Sequence, residues 1–394
     1  MKAVILAAGE GTRLRPYTET MPKVMLPVGN KPILEYVFDA VKNSGIEEII
    51  LIVGYKKEVI MEYFKNYKGI KITYIEQEKQ LGTAHALMQA KSKINEPFLV
   101  LSGDNIIDRE SILKLIKDKS EYSLLIKENP YPSKYGVVLV EKNILKEIIE
   151  KPEKEIGKFI STGIYKLPKS FFKDIKELSE MGVFALTSVL QKIINQGKTV
   201  NTITANLWMD IVYPWDLINV NETIIKKTDQ TKDGLIEKNV TIKGEVYIGK
   251  NTKIYSGCYI VGPVVIGDEC EIGPNTCIFP STSIGNNTVI SPFSEIRNSV
   301  IMNNVHIGSN SFIDNSIIGR GTTISNKFSA TSGQSTVEIE GEYKQLQGIG
   351  AMIGEDCLIG SNVVIDPGLI IGRKTEIEPI KRIIKNIKSQ SKVM

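Results

Sequence analysis

Residues 6–16 read LAAGEGTRLRP and set two glycines, a hydroxyl and two arginines directly behind an apolar run. Gly9 and Gly11 let a backbone turn sharply and come close to a ligand. Backbone N–H groups in such a turn cradle phosphate oxygens, and a guanidinium such as that of Arg13 presents a fork that matches them. Leu6, Ala8 and Thr12 complete the stretch, and Lys23 in Met21-Pro22-Lys23 adds an ammonium shortly after it. This set points to the handling of a polyphosphate. Two carboxylates are candidates to anchor Mg²⁺ there: Asp104 in Ser102-Gly103-Asp104-Asn105 and Asp210 in Trp208-Met209-Asp210. Mg²⁺ is held through one or two carboxylates, with substrate phosphates and waters filling its other positions.

The elements that must carry these residues follow from the apolar pattern. Short apolar runs at 4–7, 49–53, 72–75 and 98–101 read as strands, and mixed segments at 33–43, 57–67 and 83–90 read as helices. Alternation at this spacing predicts a mostly parallel sheet covered on both faces. Ligands of such folds sit beyond the carboxyl ends of the strands, where both the 6–16 loop and Asp104 fall. Smaller signals lie between: Gln77 leading to Gly82 and Thr83 before a helix start, Gly136 in a turn, Glu150-Lys151-Pro152, and Ser161-Thr162-Gly163.

The chain has 394 residues, 42% hydrophobic and 24% charged, which is ordinary for a soluble protein of two domains. No apolar run reaches the ~18–20 residues of a membrane span, and Met1-Lys2 leads straight into the first strand, so a cytoplasmic location is expected. A net charge of +4 is too small to imply a nucleic-acid partner. The four cysteines, Cys258, Cys270, Cys277 and Cys357, lack CxxC spacing, so neither zinc nor a disulfide framework is indicated.

From Ile236 the character changes. Isoleucine recurs every six residues to Ile296, takes a five-residue step to Ile301, and resumes at Ile307 and Ile313, then at Ile318 and Ile324. It resumes from Ile353 to Ile377, leaving an interruption between Ser325 and Met352. A hexapeptide period is the signature of a parallel β-helix. Three of the cysteines sit four residues after a repeat isoleucine and read as small corner residues. The tail, 380–394, is basic and weakly amphipathic and reads as a short capping helix. The expected division is 1–225, a linker at 226–235, the β-helix at 236–379, and the tail.

In their order, LAAGEGTRLRP with Pro22-Lys23, QLGT at 80–83, SGD before Asn105, EKP at 150–152, STGIY at 161–165 and WMD at 208–210 resemble the sugar-1-phosphate nucleotidylyltransferases. The likeness spans the first half of the chain. It implies an α/β fold: a Rossmann-like nucleotide-diphospho-sugar transferase domain, followed here by a left-handed parallel β-helix of hexapeptide repeats. It also implies the reaction of a sugar 1-phosphate with a nucleoside triphosphate to give a nucleotide-sugar and pyrophosphate. Carried over, Leu6, Ala8, Gly9, Gly11, Thr12 and Thr83 hold the nucleotide, and Gln77 and Gly82 read its base. Arg13 binds the departing pyrophosphate and Lys23 the reacting phosphates. Asp104 and Asp210 hold Mg²⁺, and Gly136, Glu150, Lys151 and Thr162 line the sugar phosphate site. A phosphate nucleophile is already anionic, so the presence of only two histidines, His85 and His306, fits this chemistry. QLGTAHAL is similar to the uridylyltransferases of bacterial amino-sugar metabolism, which puts UTP first and dTTP second. Those enzymes carry Asn where this chain has Ser161, so glucose 1-phosphate stands beside N-acetylglucosamine 1-phosphate.

The second half resembles the trimeric acetyltransferase domain of the bifunctional, archaeal-type members, which implies a homotrimer or higher oligomer and acetyl-CoA as a possible substrate. That chemistry uses a histidine base in a His-x-x-Tyr arrangement before a Ser-Ile-Ile-Gly turn, here residues 316–319. Counting back gives Ser309 and Phe312, with His306 three residues too early; Asn326 does match the family asparagine. The family's basic Ile-Lys-Gly-Lys segment is Ile339-Glu340-Gly341-Glu342 here, with its charges reversed. The main role expected of the β-helix is therefore oligomerisation. The alternatives are acetylation of an amino-sugar 1-phosphate and, for the whole chain, a non-catalytic regulatory subunit.

Overall fold

The computed structural model describes residues 1–154, 156–228 and 231–394. By packing, the chain forms two compact units, and neither is continuous in sequence. The first contains Met1–Glu10, Pro22–Met25 and Ile33–Asp210; the second contains Gly11–Met21, Leu26–Pro32 and Ile211–Met394. A division by sequence at 225 therefore differs from the packing units in three places. Two short pieces of the N-terminal region and the helix Asp216–Ile225 pack with the repeats.

The first unit is built on a nine-stranded sheet. Its order is Lys71–Glu76, Glu48–Val53, Ala3–Ala7, Phe98–Ser102, Phe159–Leu167, Tyr122–Glu128, Val200–Thr204, Ile144–Glu150, Gly136–Glu141. The first four strands are parallel, each joined to the next by a helical crossover, as the alternation predicted. Phe159–Leu167 and Ile144–Glu150 run against their neighbours, so the sheet is mixed beyond its parallel half. Val4, Ile50, Ile52, Phe98 and Val100 are fully buried, which explains why these strands read as unbroken apolar runs rather than alternating ones. The helix Ile33–Asn43 buries Ile33, Leu34, Val37, Phe38 and Val41, an i, i+4 stripe that covers one face.

The second unit is dominated by three parallel sheets of nine, eight and seven strands among the described residues. Their registers stack the repeat isoleucines coil upon coil: Ile254 on Ile272 on Ile290, Ile260 on Ile278 on Ile296, and Ile248 on Ile266 on Ile284. Most of these side chains are wholly buried. Each removes about 1.5–3 kcal/mol worth of apolar surface from water. Both five-residue steps, to Ile301 and to Ile318, are absorbed without loss of register, since Ile290 stacks on Ile307 and Ile301 on Ile318.

Two expectations are corrected here. The repeat does not stop at Ser325: Ser329–Ala330 forms the next strand, with buried Ala330 in the place of isoleucine, stacked between Ile313 and Ile365. The interruption is a β-hairpin, Gly333–Ile339 with Glu342–Ile349. The tail is not a helix. Arg382–Ile383 and Lys392–Val393 add strands to the stacks, and Ile371 bridges Ile387. Ile383 takes the six-residue inward step from Ile377 and Ile387 packs against the same core, while Ile380 and Ile384 are exposed, so the four do not form a helical face. No helix among the described residues is long and apolar enough to cross a membrane.

The corner cysteines behave as hydroxyl substitutes. Cys270 donates its S–H to the Gly285 carbonyl at 3.1 Å and Cys357 to that of Gly372 at 3.2 Å, just as Thr252 donates to Gly267 at 2.6 Å. Burial pushes all three buried thiols up, that of Cys357 to about 11. At pH 8 they stay protonated. A thiol reagent at pH 8 is expected to titrate at most one cysteine, Cys277, in the native protein and all four after denaturation. Cys270→Ser is expected to cost about 1 kcal/mol or less, because the hydroxyl keeps the bond. Ile290→Ala should cost about 2–5 kcal/mol in denaturant unfolding, because a stacked isoleucine leaves a cavity.

Candidate active site

The first unit brings Lys23, Asp104 and Asp210 together at the end of a central strand. Phe98–Ser102 ends against Ala3–Ala7, where the Gly103 N–H donates to the Leu6 carbonyl at 2.8 Å. A β-carbon on Gly103 would stand 3.1 Å from that oxygen, which is why the turn uses glycine. Asn105–Ile107 then pairs with Trp208–Asp210, antiparallel, with Asp210 opposite Asn105. This three-residue ladder sets two carboxylates side by side that are far apart in sequence. Lys23 closes the group. Its ammonium donates to Asp104 Oδ2 and lies 3.7 Å from Asp210 Oδ1, while Asn105 Nδ2 donates to the same Asp210 oxygen at 3.1 Å.

All three charged side chains are mostly shielded, with 15% to 24% of their surface exposed. Burial alone would push the Asp104 carboxyl up; the charge and hydrogen bond of Lys23, with the Ser102 hydroxyl, outweigh it and hold the carboxyl below its usual range. Two carboxylates and one ammonium thus share a sheltered place. Hard oxygen donors from two carboxylates suit Mg²⁺, which takes its remaining positions from substrate and water. Among the described residues there is no cluster of three or more His, Cys, Asp or Glu that would cage a metal by itself. Asp104 and Asp210 are the residues that would hold it.

The residues of this unit expected to meet the nucleotide are also well ordered by their contacts. The Tyr55 N–H donates to the Ala8 carbonyl at 3.1 Å, and Gly54 packs so tightly on Ala8 that a β-carbon would meet it at 2.9 Å. At Gly9 a β-carbon would meet nothing within 4 Å, so the strand end opens there into free space. Buried Gln77 places its amide 2.9 Å from His85 Nδ1 and 3.4 Å from the Gly82 carbonyl. Gly82 has φ +144 and lies against the Phe184 carbonyl, which also accepts from the Ala84 N–H at 2.8 Å. The Thr83 hydroxyl accepts from the Leu186 N–H. On the far side of the sheet, Gly136 pairs with Glu150, and the Lys151 N–H donates to the Tyr135 carbonyl. Thr162 is buried and its hydroxyl donates to the Leu125 carbonyl at 2.7 Å, so that side chain is engaged within the sheet.

Thr12 and Arg13 belong to the second unit. Gly11, at φ +73, starts a short 3-10 turn over Thr12–Leu14, and the Thr18 hydroxyl donates to the Gly11 carbonyl at 2.8 Å. The segment is anchored by Tyr17, fully buried with its hydroxyl donating to the Ile317 carbonyl, and by Thr20 on buried Glu355, which also takes Arg320 at 3.4 Å. Thr12 Oγ1 donates to Glu340 Oε1 at 2.6 Å, and Arg13 Nε to Glu340 Oε2 at 3.2 Å. Sequence reading singled out neither Ser102 and Asn105 as partners of the carboxylates nor His85 as the partner of Gln77. Reversed charge at 340 was its only sign of the Glu340 contact. In the repeats, His306 is exposed on the strand His306–Ile307. Asn326 is part of a corner ladder: its Oδ1 accepts from the Ser309 N–H at 2.9 Å, as Asn303 does from Asn286 one coil away.

Residues 2–227 match the family described as nucleotidyl transferase, more than half of the chain. The chain belongs to the nucleotidyl transferase family. Residues 260–342 match the GMPPB C-terminal domain, and residues 350–378 match a hexapeptide repeat of succinyl-transferase. A Methanococcus maripaludis protein named bifunctional protein GlmU is 38% identical over 99% of this chain and 96% of its own length. A Sulfurisphaera tokodaii protein named bifunctional sugar-1-phosphate nucleotidylyltransferase/acetyltransferase is 35% identical over 96% of both chains. A solved Bacillus anthracis structure, provisionally described as a glucose-1-phosphate thymidylyltransferase, superposes with a TM-score of 0.54 at 27% identity, covering 59% of this chain and 98% of that one.

In a nucleotidyl transferase the two glycines call for opposite outcomes. Gly82→Ala is expected to lose about 1–3 kcal/mol of stability, since its φ and the Phe184 carbonyl both reject a side chain. Gly9→Ala is expected to leave the melting temperature unchanged and to weaken nucleotide binding at least severalfold. Thermal melts and nucleotide titrations of the two variants check this.

Proposed function

We propose that this chain transfers a nucleotidyl group from UTP, or secondarily dTTP, to a sugar 1-phosphate, releasing pyrophosphate. The observation that carries the reading is the shielded group of Lys23, Asp104 and Asp210 at the end of the central strands. The sugar phosphate oxygen attacks the α-phosphorus; a new P–O bond forms as the bond to the β-phosphate bridging oxygen breaks. No proton has to be removed from the nucleophile. The demand is for in-line placement and neutralisation of charge. Lys23 supplies a positive charge to the reacting phosphates, and Arg13 binds the leaving pyrophosphate. Mg²⁺, when held by Asp104 and Asp210, supplies further neutralisation and orientation of phosphate oxygens. Gln77 and Gly82 meet the base, and Gly136, Glu150 and Lys151 meet the sugar phosphate. Residues 1–225 carry this activity, with soluble phosphates of the cytoplasm as substrates.

The sugar is glucose 1-phosphate or N-acetylglucosamine 1-phosphate. A Haloferax volcanii relative named UTP–glucose-1-phosphate uridylyltransferase AglF, 35% identical over 59% of this chain and the whole of its own, favours the first. The name GlmU among full-length relatives favours the second. We assign the β-helix, residues 236–379, mainly to assembly of a homotrimer or higher oligomer. Acetyl transfer from acetyl-CoA to an amino-sugar 1-phosphate is the second reading, favoured by the bifunctional names of relatives that match along the whole chain.

Pyrophosphate release across UTP, dTTP and both sugar phosphates, with and without Mg²⁺, tests the assignment. Lys23→Ala is expected to lower turnover at least 100-fold while the unfolding transition is kept. Full turnover in that variant would end the assignment.

A further inference from the structure

The hairpin that interrupts the β-helix has no place in the repeat architecture, and its tip is its most unusual part. The two strands pair from Gly333 with Ile349 to Ile339 with Glu342, leaving a two-residue tip, Glu340-Gly341. Both tip residues have positive φ, +51 and +80. Such a turn favours Asn-Gly or Asp-Gly, because a longer side chain gains nothing there from local hydrogen bonds and carries the steric cost of the left-handed region. Glutamate at this point needs another reason, and its carboxylate supplies one. It accepts from Thr12 Oγ1 at 2.6 Å and from Arg13 Nε at 3.2 Å. These are the two groups of the opening loop read above as ligands of the triphosphate.

The rest of the hairpin is shaped to deliver that carboxylate. Its root is fixed: Val337 and Ile349 are buried, and Gly368 leaves room for Ser335, whose Oγ would lie 2.3 Å from a β-carbon there. Its outer half is exposed, with Tyr343 70% and the Glu340 side chain 44% accessible. Further back, Lys344 pairs with Glu342 at 2.6 Å and lies over the Tyr213 ring at 5.8 Å. Tyr213 stands three residues after Asp210 and stacks on Trp215 at 4.8 Å. Within the second unit, one hairpin therefore touches both the segment that follows Gly11 and the segment that follows Asp210.

We propose that the hairpin 333–349 is an autoinhibitory strap, in which the Glu340 carboxylate occupies the phosphate-binding groups of Thr12 and Arg13 and must be displaced by the incoming triphosphate. The inference rests on the reading of those two residues as triphosphate ligands. A carboxylate offers two oxygens to a hydroxyl and a guanidinium much as a phosphate does. A triphosphate offers more oxygens and more charge, so it wins when present. The contact is exposed, and exposed ion pairs bias a population only by roughly twofold to tenfold. That is the strength a displaceable competitor needs: the strap raises the nucleotide concentration required without closing the site.

Glu340→Gln and Glu338→Gln, on the full chain, separate the strap from a general loss of negative charge. Both residues lie on the same hairpin, and Glu338 pairs with Tyr343 rather than facing Arg13. Inorganic tripolyphosphate is titrated by calorimetry at fixed low salt, and the KM for UTP is measured by pyrophosphate release. The expected result is about threefold to tenfold tighter tripolyphosphate binding and an equal fall in KM for Glu340→Gln, with kcat within twofold and Glu338→Gln like wild type. Unchanged or weaker binding in Glu340→Gln overturns the strap, as does an equal gain in both variants, or no tripolyphosphate binding in any of the three proteins. Failure of the proposed function is a different result. Wild type would then release no pyrophosphate from any substrate pair, while the tripolyphosphate titrations would still decide whether Glu340 opposes phosphate at Thr12 and Arg13.

Discussion

Every coil of the β-helix presents one inward side chain per strand, and each must land on its equivalent in the next coil. This stacking constraint governs the second unit. It permits a shortened coil, because Ile290 on Ile307 keeps the side chains in line despite the five-residue step. It requires small donors at the corners, and threonine and cysteine fill the same role there through bonds to the next coil's carbonyls. It also dictates how an insertion is made. The chain leaves after Ala330 and returns at Met352–Ile353, which stacks on Ile317–Ile318 as though nothing intervened. The hairpin between them is thereby held at its root by a rigid scaffold and left free of the repeat at its tip.

The same scaffold holds parts of the N-terminal region. Tyr17, Thr20 and Glu19 bond to Ile317, Glu355 and Ser389 respectively. Gly29 and Asn30 bond to Asn221 and Ile284, and Asn221, wholly buried, also donates to Ser281. Burying polar groups in this way is tolerable only because each has a partner. The backbone that follows Gly11, including Thr12 and Arg13, packs in one unit with the repeats.

The first unit works by a different economy. Asp104 and Asp210 would repel each other if left alone in a sheltered place, and Lys23 and Asn105 between them remove that difficulty. The Lys23 charge and hydrogen bond hold the Asp104 carboxyl below its usual range despite its burial.

Much of this was legible in the amino-acid order. Strand and helix periods placed the parallel half of the sheet, and the order of short motifs identified the family. The six-residue isoleucine period gave the β-helix outright, because each coil depends only on its neighbours and so repeats in sequence what it repeats in space. Counting isoleucine alone missed Ala330, and reading the tail isoleucines as a helical face missed its strands, since both patterns rest on apolar spacing without regard to what lies in the next coil. Long-range pairing was decided only in three dimensions: Asp210 beside Asp104, Asn326 in a corner ladder instead of free, and the Gly11–Met21 segment within the β-helical unit. Glu340 is the sharpest case. In sequence it is one acidic residue within the interruption of the repeat. That the charge meets Arg13 depends on folding residues more than 300 positions apart onto one surface, and no local rule of periodicity or propensity carries information over that distance.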